Sequence, residues 1–181
     1  MSQTKLSITE TTKGQNNSIY KAIEQNKGGA WLVVHRITGK LDLKRLDNAL
    51  QTLGQSTHIF NKTYFRKEDR WLEISSDDNK VPITEIDFSK TSEASTYELI
   101  NNLRRHQYSP QHGKQARFIL IREKDSDLLV FTAATWLIDR FCIGTIFKTI
   151  SDAYNNNNPA HNIDLQQSKL LKKEKFRTPQ A

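Results

Sequence analysis

The side chains able to carry out acid–base or nucleophilic chemistry are few and scattered. Histidines stand at His35, His58, His106, His112 and His161. None has a Ser, Cys or Asp partner at the spacing of a recognisable nucleophile–base motif. Cys142 follows Phe141 near an expected helix N-terminus, where a dipole can lower a thiol's pKa, but the reading adopted is a buried, inert thiol. As the single cysteine of the chain it forms no internal disulfide, and no Cys/His cluster has zinc-ligand spacing. Neither a metal nor another cofactor is expected.

The elements that must position these groups follow from periodicity. Ser7 to Gln25 is expected as a first helix with Ile8, Ile19, Ala22 and Ile23 toward the core, ended by Gly28 and Gly29. Ala30 to Thr38 is β-branched and aromatic and predicts a strand, closed by Gly39. Asp42 then caps a helix bearing Leu43, Leu46, Ala49, Leu50 and Leu53 on one face. Ile59 to Phe65, Trp71 to Ile74 and Val81 to Ile86 are short strands, and Pro82 puts the last at a sheet edge. Ser92 to His106 is a helix with cations at its C-terminal end. Arg117 to Arg122 and Leu128 to Thr135 are two further strands, the second so apolar that it belongs at the centre of a sheet. A last helix covers Ile143 to Tyr154 with Ile146, Phe147 and Ile150 inward. The pattern gives an α/β or α+β layered domain, a mixed sheet flanked by helices.

The 181 residues suit one domain with its own core, and 36% hydrophobic with 26% charged residues is a globular balance. The start of the chain lacks an apolar signal region, and no apolar run is long enough for a membrane helix. A soluble, cytoplasmic protein without a membrane partner is expected. The charge of +7 lies partly in Lys169, Lys172, Lys173, Lys175 and Arg177. No helix-turn-helix, zinc or aromatic RNA-binding signature accompanies it, so nucleic acid is not an expected partner. The domain is expected over 7–154, after a short extension at 1–6 and before a polar, basic tail at 155–181 expected to be flexible and dispensable for folding.

Several segments, together spanning about residues 7 to 154, resemble the N-terminal lobe of nonribosomal-peptide-synthetase condensation domains, which share the fold of chloramphenicol acetyltransferase. Ile8-Thr9-Glu10-Thr11-Thr12-Lys13-Gly14 resembles the opening L-T-E-x-Q-x-G. Thr38-Gly39-Lys40-Leu41-Asp42 with Leu46, Ala49 and Leu50 is similar to the G-x-L-D strand-to-helix turn. His58, Thr63 and Phe65 remain from R-H-E-x-L-R-T-x-F, with Lys62 for arginine. Ile86-Asp87-Phe88-Ser89 resembles v-D-l-S, and Arg117 stands at the arginine opening the strand before the active site. The family signature H-H-x-x-x-D-G falls on Ala134-Thr135-Trp136-Leu137-Ile138-Asp139-Arg140, where only the aspartate survives.

The resemblance implies a strand-to-helix turn facing a tunnel between two lobes, in which the second histidine assists an amine or hydroxyl attacking a carrier-bound thioester. Thr135 occupies that position and cannot accept a proton as imidazole does, so base assistance worth roughly 10²–10⁴ in rate is absent. Asp139 is expected to be structural, an ion-pair partner holding the loop. Arg140 replaces the glycine that keeps the pantetheine channel clear, and one lobe supplies only half of a tunnel. His58 is assigned a structural or surface role. The expected function is a catalytically inactive condensation-like half domain docking onto a carrier protein, synthetase module or tailoring enzyme of nonribosomal peptide or polyketide biosynthesis, or pairing as a homodimer. The alternative is a split acyltransferase completed by a second lobe on another chain. The interface candidates are Trp136 and Phe141, with Arg140, Lys62, Arg66, Lys67 and Arg70 as rim charges.

Overall fold

A computed structural model of the chain describes residues 6–24 and 29–156. Its main sheet has four strands: β2 (Ala30–Thr38), β5 (Ile83–Asp87), β6 (Ala116–Arg122) and β7 (Ser126–Ala134). The order is β2-β7-β6-β5, antiparallel except for the β5–β6 pair. The near-continuous apolar run of β7 is explained by its place: it is paired on both sides, and every residue from Asp127 to Ala134 is buried. β5, following Pro82, is at the edge as its sequence predicts.

Alternation along the strands separates two faces. On one, Phe118, Leu120, Leu129 and Phe131 pack against Leu46, Leu50 and Leu53 of α2 (Leu43–Ser56) and Ile146, Phe147 and Ile150 of α4 (Arg140–Asn156). On the other, Ile119, Ile121, Leu128 and Val130 meet Ile100 and Leu103 of α3 (Glu93–Arg105). A second, antiparallel sheet of β1 (Leu6–Glu10), β4 (Arg70–Ser76) and β3 (Lys62–Lys67), in that order, adds Tyr64 and Trp71 to the first cluster.

The first element departs from expectation. Residues Leu6–Glu10 are strand β1 on β4, and α1 spans Lys13–Ile23. A capping box decides the boundary. The Thr12 hydroxyl accepts the Gln15 N–H at 3.2 Å and the Gln15 side chain accepts the Thr12 N–H at 3.0 Å, which fixes Thr12 as the residue before the helix. Ile8 is therefore 61% exposed instead of buried, while Ile19 is in the core. Ile59–Asn61 is likewise a single 3-10 turn leading into β3.

One buried carboxylate joins the turns at one end of the main sheet. Asp127, fully buried, accepts the Leu41 N–H at 2.7 Å and a short bond from the Arg122 guanidinium, with the Lys40 ammonium at 3.4 Å. Arg122 also donates to the Leu41 carbonyl at 2.9 Å and to Glu85 at 2.7 Å. This explains the Gly39-Lys40-Leu41-Asp42 turn: Gly39, at φ +83°, takes the left-handed conformation that presents Leu41 to Asp127. Asp42 then caps α2 through the Arg45 N–H at 2.9 Å. Replacing Asp127 by alanine leaves the Leu41 N–H without its acceptor and the Arg122 guanidinium with Glu85 as its remaining carboxylate, and a loss of about 3 kcal/mol is expected in urea unfolding at neutral pH; a loss below 1 kcal/mol contradicts this role.

His35, 5% exposed, lies with its ring centroid 4.1 Å from that of Phe147. Burial pushes its pKa from 6.5 down to about 4. The folded chain thus keeps His35 neutral where the unfolded chain takes up a proton. The stabilisation is complete above about pH 6.5 and declines as pH falls toward 4. The wild type is expected to lose about 2 kcal/mol between pH 7.5 and 5, and His35→Leu to lose much less over that interval. Equal slopes in denaturant titrations at the two pH values assign the acid sensitivity elsewhere.

Candidate functional site

The signature turn lies where β7 passes into α4. Ala134, fully buried, ends the strand with its N–H on the Gln115 carbonyl at 2.9 Å. Thr135 is half-buried, and its N–H donates to the Gly29 carbonyl at 3.2 Å. The Leu137 N–H returns to the Ala134 carbonyl at 3.1 Å, and the Trp31 indole donates to the Ile138 carbonyl at 3.0 Å. Main-chain bonds and the Trp31 indole therefore hold this turn, and no imidazole is needed to shape it.

Asp139 is structural, by a route other than the expected ion pair. Its Oδ1 accepts the N–H groups of Phe141 at 2.8 Å and Cys142 at 2.9 Å, capping the start of α4. These bonds, Cys142's foremost, hold its carboxyl below the usual carboxylate range. Among the described residues no cation pairs with it.

Two surface expectations are corrected. Trp136 is only 3% exposed, packed in the larger core cluster with Leu137 and Ile138, so its ring is not offered to a partner. The apolar triplet Trp136-Leu137-Ile138 follows a strand buried on both faces, and burying the indole on that core removes the largest apolar surface of the turn from water. Its indole nitrogen is buried without a hydrogen-bond partner. Cys142, conversely, is exposed, because it sits on the outer side of the first turn of α4. What desolvation it does undergo, with the neighbouring Asp139, raises its pKa, so an unreactive thiol is right in chemistry but not in placement.

Phe141 is 80% exposed, the most exposed large apolar residue described, and the Arg140 guanidinium lies 5.7 Å from its ring centroid. The four other basic candidates sit on the β3–β4 hairpin, in the second sheet. Lys62 pairs with Glu73 at 2.7 Å, Arg66 with Glu24 at 3.3 Å and Arg70 with Glu10 at 3.1 Å, so three of the four already face a carboxylate and only Lys67 adds uncompensated charge. His58 is exposed beside the 3-10 turn, and His161 lies outside the described residues.

Two polar groupings escaped the sequence reading. Glu73, buried at 8% exposure, accepts the Tyr64 hydroxyl at 3.2 Å and Gln15 at 3.5 Å besides pairing with Lys62. Burial and that carboxylate push the Tyr64 phenol upward. The available signal was alternation: Glu73 is two residues from Trp71 and shares its inward face. The second grouping lies on the α3 side of the sheet, where Arg117 is paired across strands with Thr132 and the Tyr108 hydroxyl reaches the Thr132 hydroxyl at 3.2 Å. No spacing in the sequence announces it.

Residues 22–173 match the family model of the condensation domain, and the chain belongs to that family. No curated protein matches the sequence. Solved structures share the fold. The starter condensation domain of the rhizomide synthetase RzmA superposes with TM-score 0.73 at 8% identity over 88% of this chain and 41% of its own. The X-domain from teicoplanin biosynthesis gives 0.70 at 17% identity, over 84% and 33% respectively. The condensation domain of the Monacolin K polyketide synthase MokA gives 0.70 at 20%, over 90% and 36%. The chain thus spans between a third and about two-fifths of the length of these structures. No helix among the described residues is long and apolar enough to cross a membrane.

If Asp139 acts as a helix cap, Asp139→Ala should lower the melting temperature while Asp139→Asn and Asp139→Ser, which cap without charge, keep most of it. Equal losses in all three variants point instead to a charge-dependent role.

Proposed function

We propose that this chain is a catalytically inactive condensation-like lobe that serves as a docking or scaffold module in the assembly-line biosynthesis of nonribosomal peptides or polyketides. The observation that carries the reading is Thr135 at the position of the family's base, a half-buried residue whose hydroxyl cannot take up a proton near neutral pH. The signature turn retains its shape through main-chain bonds and the Asp139 cap, so the architecture persists without the acid–base group. Phe141 supports docking: a phenyl ring 80% exposed at the start of α4, beside the Arg140 cation, has the composition of an interface anchor. A carrier protein, synthetase module or tailoring enzyme is the partner class that the family supplies.

Two measurements test the proposal. Incubated with a carrier-bound acyl thioester and an acceptor amine, the purified chain should show only background turnover, and Thr135→His alone should not raise it, because proton transfer without substrate positioning gives little. Turnover above background overturns the inactive reading, and turnover appearing only with a second polypeptide identifies a split acyltransferase. In binding experiments with a carrier protein or module of its own assembly line, Phe141→Asp should weaken association about tenfold or more, equivalent to about 1.4 kcal/mol. Unchanged affinity removes the α4 start from the interface, and light scattering on the same samples reports any homodimer.

A further inference from the structure

β6 opens with a cation that the described fold leaves without a counter-charge. Every other arginine in the described strands meets a carboxylate: Arg36 that of Glu123, Arg66 that of Glu24, Arg70 that of Glu10, and Arg122 those of Glu85 and Asp127. Arg117 meets none among the described residues, although it is half-buried and its Nε is buried without a hydrogen-bond partner. The neighbouring sequence supplies no anion either. From Leu99 to Arg122 the chain holds no aspartate or glutamate, while Arg104, Arg105, Lys114, Arg117 and Arg122 all fall in that stretch. A partly desolvated cation with no anion beside it is costly, and a ligand that brings the opposite charge recovers that cost.

The groups around this cation are hydrogen-bond donors. Alternation along β6 and β7 puts Arg117 and its cross-strand partner Thr132 on the α3 side of the sheet, with Ile119 and Val130. Thr132 is fully buried, and its hydroxyl lies 3.2 Å from that of Tyr108. The His106 ring stands edge-on to the Tyr108 ring, with 4.8 Å between centroids. Burial raises the pKa of the Tyr108 phenol, with Thr132 and Arg117 opposing it. Burial, and after it the Arg117 charge, lowers that of His106. The guanidinium thus faces both rings. A pair of hydroxyls uses one proton in its own bond and has a second to donate. Guanidinium, phenol and imidazole N–H together match an oxyanion, taken end-on by the two Nη groups because Nε is closed off. We infer that Arg117, Tyr108 and His106 form a binding site for the carboxylate or phosphate group of a small ligand, at the level of Thr132, two residues before Ala134. The site does not depend on whether the chain is catalytic.

NMR titration of the full-length chain with sodium acetate and, separately, with inorganic phosphate tests this, sodium chloride being adjusted to hold the ionic strength at about 0.15 M. In wild type the ring signals of His106 and Tyr108 and the Arg117 Nε–H should shift saturably with one or both salts. The tighter of the two names the ligand group, acetate a carboxylate and phosphate a phosphoryl ester. Arg117→Gln should weaken that binding about tenfold or more and Tyr108→Phe about threefold, while Arg117→Lys, which keeps the charge but not the fork, should weaken it as well. Tyr108→Phe retains the ring and decides the matter if the Arg117 variants do not fold. The absence of a saturable shift with either salt in wild type overturns the inference. So does saturation that Arg117→Gln and Tyr108→Phe leave unchanged, which marks general screening of the basic stretch.

Discussion

The Asp127 carboxylate carries a charge in a place from which water is excluded, and the surrounding fold is arranged to answer it. A buried anion is tolerated only when several donors meet it at once. Those donors come from the β2–α2 turn and from β6, while Asp127 itself opens β7. Meeting the charge therefore fixes the hairpin, the turn and, through Arg122 and Glu85, the edge strand β5 in one geometry. The apolar layers on the two faces supply most of the driving force for collapse, but they are indifferent to small slips in register. The carboxylate is not indifferent, because a displaced turn leaves it without partners.

The signature turn, at the other end of β7, has lost most of its polar character. Two adjoining alanines, Ala133 and Ala134, end the strand fully buried, and Trp136, Leu137 and Ile138 pack into the core where the family pattern places chemistry. Such replacements are compatible with the same backbone because the bonds at residues 134, 135, 137 and 138 use their N–H and C=O groups, which these residues supply whatever their side chains. Asp139 caps the start of α4, a duty independent of whether the neighbouring strand carries an imidazole. Stability places its own demand on this segment, and the main-chain bonds, the Trp31 indole and the Asp139 cap meet it.

Sequence reading recovered the elements whose periodicity is dictated by burial on known faces. β7 was legible because burial on both sides requires a continuous apolar run, and α2 because Asp42 marks its start and its leucines recur at helical spacing. β1 was misread as helix because its alternation, Leu6-Ser7-Ile8-Thr9, holds only two apolar residues and is too short to stand apart from the helix that follows, and all five of its residues are exposed. Gly54 inside α2 carries no helix signal at all, and its reason is tertiary, since a Cβ there would stand 1.9 Å from the Asn79 carbonyl oxygen. In the site, residue types told that position 135 carries a hydroxyl, whereas the exposure of Trp136 and Cys142 depended on which way the turn rolls onto the core. The buried Glu73 and Asp127 were invisible for the same reason. A charged residue in a strand looks solvated until its partners, distant in sequence, are known.

The pairing of β2 with β7 has a consequence during synthesis. β2 is made early, and its partner, the central strand, only after most of the domain has emerged. The β3–β4 hairpin can form locally, but the main sheet cannot close until β7 arrives, so β2 must wait as an apolar, unpaired strand while the intervening chain is translated. A protein built this way depends on its N-terminal third staying out of wrong pairings for that interval, which makes Ala30–Thr38 the stretch where a nascent chain is most exposed to aggregation.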